Sequence, residues 1–121
     1  MTGDRSKSGP PIFEVIVSPA PREGVTVALA GEIDLVTAPQ FEAALREQLA
    51  AGSVRLDLRG LSFIDSTGIR VLDAILRDVR AHGWTLLVEP TMQPAVRQVI
   101  ALTGMTGALP LDSPPAAEPH P

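Results

Sequence analysis

The chain has 121 residues, a net charge of −4 and no cysteine, with 45% hydrophobic and 20% charged residues. That apolar content suits one folded domain with one core. The acidic balance and the scarcity of aromatics (Phe13, Phe41, Phe63 and Trp84) speak against a nucleic-acid surface, and the missing cysteines exclude disulfides and thiolate metal sites.

No segment approaches the roughly 18 apolar residues of a membrane span, and the N-terminus carries no apolar leader, so a cytoplasmic protein without a membrane partner is expected. Residues 1–11 and 112–121 are polar and proline-bearing, and both read as disordered tails around a domain at 12–111.

Ile12 to Val17 is short and β-branched, hence a strand, and Ser18 to Gly24 reads as a turn. Val25, Val27 and Leu29 then alternate with Thr26, Ala28 and Ala30 in a second strand ending at Gly31. Thr37 followed by Gln40 has the spacing of a capping box, with Pro39 in the first turn. Phe41, Leu45 and Leu49 share the buried face of that first helix, and Gly52 is placed to stop it in the left-handed conformation.

Val54, Leu56 and Leu58 form a third strand ending near Leu58. A second helix over about Thr67 to Ala81 fills one side with Ile69, Val71, Leu72, Ile75, Leu76 and Val79 and turns Arg70, Asp73, Arg77 and Arg80 outward, until Gly83 ends it. Trp84 to Val88 reads as a fourth strand, Pro94 opens a third helix closed by Gly104, and Ala108 to Leu111 reads as a last short strand. The order β-β-α-β-α-β-α-β is that of an α/β domain with a mixed, mostly parallel sheet, its first strand antiparallel.

Sites on such sheets gather beyond the carboxyl ends of the strands, which here selects Glu32 to Val36, Asp65 to Gly68 and Glu89 to Thr91. Asp65, Ser66 and Thr67 open a helix. Two readings stand: they simply cap it, or a hydroxyl sits among free N–H groups at the positive end of the dipole, a good seat for phosphate. Catalysis is not expected: there is no phosphate-binding glycine loop, His82 and His120 pair with nothing recognisable, and Ser66 has only carboxylates beside it. No cofactor or metal is implied.

Val54 to Ile69, with its apolar run into Asp65-Ser66-Thr67-Gly68, resembles the central signature of STAS domains, the fold of bacterial anti-sigma factor antagonists. Gly31-Glu32-Ile33-Asp34 resembles the family's second hallmark, at the end of strand two. The resemblance implies a single STAS domain that takes part in partner switching during transcription regulation and stress response. The unmodified form binds an anti-sigma factor that is a histidine-kinase-like serine kinase and so frees the sigma factor. Phosphorylation of the serine after the aspartate, Ser66 here, ends the binding, and a phosphoprotein phosphatase resets the cycle.

Partner contact would then fall on Asp34, Asp65, Ser66, Thr67, Gly68 and Arg70, with Thr67 a second possible acceptor. For Asp34 the alternative is a loop turn residue, and for Arg70 a solvated helix face carrying an Asp73–Arg77 pair. Family members commonly continue into a C-terminal helix packed on the sheet, where this chain has prolines. A rival reading is a STAS scaffold subunit of a stress-sensing or lipid-transport complex with no phospho-switch.

Overall fold

A computed structural model describes residues 13–20 and 24–112. The elements are β1 (Glu14–Ala20), β2 (Gly24–Ile33), α1 (Ala38–Ala51), β3 (Val54–Ile64), α2 (Ser66–His82), β4 (Leu86–Val88) and α3 (Pro94–Leu102). The sheet order is β1-β2-β3-β4, with β1 antiparallel to β2 and the other pairs parallel. Each crossover steps the same way along the sheet, so right-handed connections put all three helices on one face.

The register carries the core. Val27, Leu56 and Val88 lie in one row and are fully buried beneath the helices. The neighbouring row, Thr26, Arg55 and Leu87, is half-buried on the other face. Phe41, Leu45 and Leu49 of α1 and Ile69, Leu72, Ile75 and Leu76 of α2 complete the core, as their helical spacing predicts. Arg46 joins the two helices by pairing with Glu42 at 2.9 Å and Asp78 at 2.6 Å.

Several boundaries differ from the sequence reading. β1 continues through Pro19 and Ala20, because an edge strand tolerates a proline that has no ladder bond to give. β2 runs on to Ile33 and β3 to Ile64, well past Leu58. The extension of β3 is disguised by a bulge: Ala28 pairs with Asp57 but Ala30 with Gly60, which breaks the period of two. Asp57 staples this bulge by accepting the Arg59 N–H at 3.0 Å and pairing with its guanidinium at 2.9 Å.

The capping box at Thr37 is not formed, since the Thr37 side chain makes no cap bond to the helix and is engaged in the preceding loop. Gly52 ends α1 in an extended conformation (φ 168°) rather than a left-handed one, whereas Gly83 ends α2 left-handed (φ 70°) as expected. β4 is shortened to Leu86–Val88, and Trp84 instead stacks on His82 with ring centroids 4.6 Å apart. The last predicted strand is a 3-10 turn, Thr106–Ala108, followed by a single parallel bridge from Leu111 to Val88. Asp112, read as the first residue of the disordered tail at 112–121, is instead held, its N–H donating to the Val88 carbonyl at 2.9 Å and its carboxylate pairing with Arg55 at 2.6 Å. The rest of that tail, the tail read at 1–11, the start of the first strand at Ile12 and part of the first turn lie outside the described residues.

Candidate functional site

Because β2, β3 and β4 run parallel, the loops that follow them emerge at one edge of the sheet. Two of them are joined directly: the Asp65 N–H donates to the Ile33 carbonyl at 3.1 Å, which sets the β3–α2 turn against the β2–α1 loop. Gly68, buried in the first turn of α2, completes the junction. A Cβ there would lie 2.7 Å from Ile33 Cγ2 and 2.7 Å from Ile64 Cγ1, so only glycine lets α2 start so close to both strand ends. The third loop turns away: Glu89 pairs with Arg55 at 2.6 Å on the open sheet face.

The β2–α1 loop is held by its own side chains. Asp34 Oδ1 accepts the N–H groups of Val36 (3.0 Å) and Thr37 (3.1 Å). Thr37 Oγ1 accepts the Asp34 N–H at 2.9 Å and donates to the Glu32 carbonyl at 2.9 Å. The Asp34 carboxyl is held below its ordinary value, chiefly by the Thr37 backbone N–H, against a smaller opposing effect of desolvation. The turn role weighed for Asp34 is therefore present in the structure. The same loop presents Leu35 and Val36 to solvent, 73% and 82% exposed.

The β3–α2 turn is built differently. Asp65 is the N-cap, extended at φ −102° and ψ −173°, and its Oδ1 accepts the Gly68 N–H at 3.1 Å. Of the three capping candidates, Asp65 alone caps. Ser66 follows as the first helical residue; its side chain is exposed and its hydroxyl makes no hydrogen bond among the described residues. Thr67 is half-buried and likewise unbonded through its hydroxyl. Ser66 thus faces the positive end of a 17-residue helix with its oxygen uncommitted.

Ser66 opens onto a cavity of about 310 Å³ that it shares with Ile69, Arg70 and Asp73 of α2 and with Thr103 and Met105 after α3. Asp34, Asp65, Ser66, Thr67, Gly68 and Arg70 therefore cluster at one sheet edge and the flank of α2. Thr103 and Met105 escaped the sequence reading because nothing local announces that the end of α3 meets the start of α2. Leu35 and Val36 sat in a selected loop, and their signal was two adjacent apolar residues between turn formers. His82 lies at the opposite end of α2, about 24 Å away at 1.5 Å of rise per residue. Among the described residues no group of acidic or histidine side chains could hold a metal, and no helix is long and apolar enough to cross a membrane.

Comparison with known proteins gives a consistent result. A family model described as "Mlab, STAS domain" matches residues 17–111. The anti-sigma F factor antagonist of Lysinibacillus sphaericus is 33% identical over 88 residues, which cover 69% of this chain and 74% of that protein. The anti-sigma-B factor antagonist of Bacillus subtilis is 31% identical over 86 residues, covering 67% and 74%. A crystal structure of an anti-sigma factor antagonist from Mycobacterium paratuberculosis superposes with a TM-score of 0.71 at 28% identity, over 90% of this chain and 92% of that one.

Proposed function

The chain belongs to the STAS domain family, and from that premise we propose that it is an anti-sigma factor antagonist switched by phosphorylation of Ser66. In its unmodified state it binds an anti-sigma factor that is also a serine kinase, and the sigma factor is released. The kinase transfers the terminal phosphoryl group of ATP to Ser66 Oγ, ADP departs, and the phosphoprotein dissociates until a phosphatase restores it. Ser66 is a substrate here, not a nucleophile of an enzyme. The names of the two relatives support the antagonist role, and their identity to this chain is 33% and 31%.

The observation that carries the reading is the state of the Ser66 hydroxyl: exposed, unbonded among the described residues, and at the first position of α2 because Asp65 already serves as cap. A phosphate there adds about −1.5 to −2 charges, which the helix dipole partly accommodates, so the fold is expected to survive. A protein docked over the edge would meet that charge beside the exposed Leu35 and Val36, whose apolar contact it would disrupt. Calorimetric titration against the anti-sigma kinases of the same genome tests this. Ser66→Asp should bind at least about tenfold more weakly than the native chain with an unchanged circular dichroism spectrum. Equal binding would leave a docking subunit without a switch.

A further inference from the structure

Building on the reading of Ser66 as a phosphorylated switch, we propose that Arg70 is the internal seat of that phosphate, and that modification acts by withdrawing this guanidinium from the partner. Ser66, Arg70, Asp73 and Arg77 follow one stripe of α2, each within one turn of the next. Asp73 and Arg77 are already joined as an ion pair. Arg70, between Ser66 and that pair, is exposed and has no hydrogen bond or ion pair among the described residues. By contrast Arg46, Arg55 and Arg59 are each held by carboxylates, and Arg97 donates to the Met92 carbonyl. Arg80 is exposed and unpaired like Arg70 among the described residues, but it lies about 21 Å along α2 from Ser66, at 1.5 Å of rise per residue.

The surroundings favour one destination for Arg70. It shares with Ser66 the cavity between α2 and the end of α3. Across that cavity α3 and its sequel contribute only Thr103 and Met105, neither charged, and the Thr103 hydroxyl is spent on the Ile100 carbonyl at 2.9 Å. The charged groups near a phosphate on Ser66 are thus the Asp65 cap, Asp34 on the adjoining β2–α1 loop, Arg70, and Asp73 with its Arg77 partner. Of these, Arg70 is the cation left uncommitted.

Residues four apart on a helix have Cβ atoms about 5–6 Å from each other, well within the reach of a guanidinium. Arginine meets phosphate through paired N–H···O bonds. The stripe would then read minus, plus, minus, plus along α2. In the unmodified protein Arg70 contacts the partner; in the phosphoprotein it is occupied at home. A carboxylate at position 66 is shorter and singly charged, so Ser66→Asp reproduces the switch only in part.

The test uses the full chain carrying genetically encoded phosphoserine at position 66, titrated by phosphorus NMR as the native sequence, Arg70→Gln and Arg70→Lys. The second ionisation of the native phosphate is expected about 0.5 pH unit below that of Arg70→Gln, with Arg70→Lys between them. Coincident native and Arg70→Gln titrations would overturn the clamp. Arg70→Gln in the unmodified chain should weaken kinase binding about tenfold; unchanged binding would overturn the withdrawal step. A phosphoprotein that binds the kinase as tightly as the unmodified chain would defeat the switch reading instead, and the phosphorus titration would still report on the clamp.

Discussion

Two helix starts stand side by side at the functional edge, each with an aspartate and a threonine or serine, and they spend those groups in opposite ways. Before α1, Asp34 and Thr37 bond each other and the loop backbone, so that the Thr37 hydroxyl and Asp34 Oδ1 are both committed. Before α2, Asp65 does the capping alone and Ser66 is left unbonded at the surface. The residue types are nearly the same, and the difference is position. Thr37 lies just before its helix, where the loop folds back over it, whereas Ser66 lies one place inside, pointing outward past a cap already filled. A hydroxyl used for structure is a poor substrate; an unused one at a helix N-terminus is well placed to accept and then tolerate a phosphate.

The comparison can be broken at the seam between the two starts. Gly68→Ala drives a methyl group into Ile33 and Ile64, both buried, and should destabilise the fold by about 1–3 kcal/mol in urea denaturation. A loss within a few tenths would mean that α2 shifts freely and that the seam does not fix Ser66. The two hydroxyls sharpen the contrast. Thr37→Val should cost about 1 kcal/mol by removing the hydroxyl that bonds the Asp34 N–H, the Glu32 carbonyl and the Asp34 carboxylate, while Ser66→Ala should lie within about 0.5 kcal/mol of the native chain. Similar losses from both would erase the distinction.

The smallest effect concerns acid. The Asp34 carboxyl is lowered from 3.8 by the Thr37 N–H, so between its folded value and 3.8 the unfolded chain binds more protons. The contribution of Asp34 is therefore complete above about pH 5 and is lost as pH falls through the folded value. The stability difference between the native chain and Asp34→Asn should shrink on going from about pH 5 to about pH 2, and a constant difference would contradict the loop bonding.

Much of this was legible in the residues. The helices announced themselves by the spacing of Phe41, Leu45 and Leu49 and of Ile69, Leu72, Ile75 and Leu76, and the parallel order followed from alternation. The Asp65–Gly68 turn was found both by the strand-end rule and by resemblance. The far half of β3 was hidden because the bulge at Leu58 and Arg59 puts Leu61 out of step with Val54, Leu56 and Leu58, and a second irregularity between Leu61 and Phe63 is needed to bring Ile64 back into their phase. Thr37 misled because its spacing to Gln40 suits a box, while the competing partners, the Asp34 N–H and the Glu32 carbonyl, depend on a loop conformation that no local pattern encodes. Thr103 and Met105 required the tertiary contact itself.

The most direct measurement is intact-mass spectrometry of the purified chain after incubation with ATP and each anti-sigma kinase of its genome, with Ser66→Ala, Thr67→Ala and Thr37→Val run in parallel. A gain of one phosphate, about 80 Da, that survives in Thr67→Ala and Thr37→Val and vanishes in Ser66→Ala is the predicted result. A phosphate that persists in Ser66→Ala, or no phosphate with a kinase that binds the chain tightly, would contradict the assignment of the switch to the uncommitted hydroxyl.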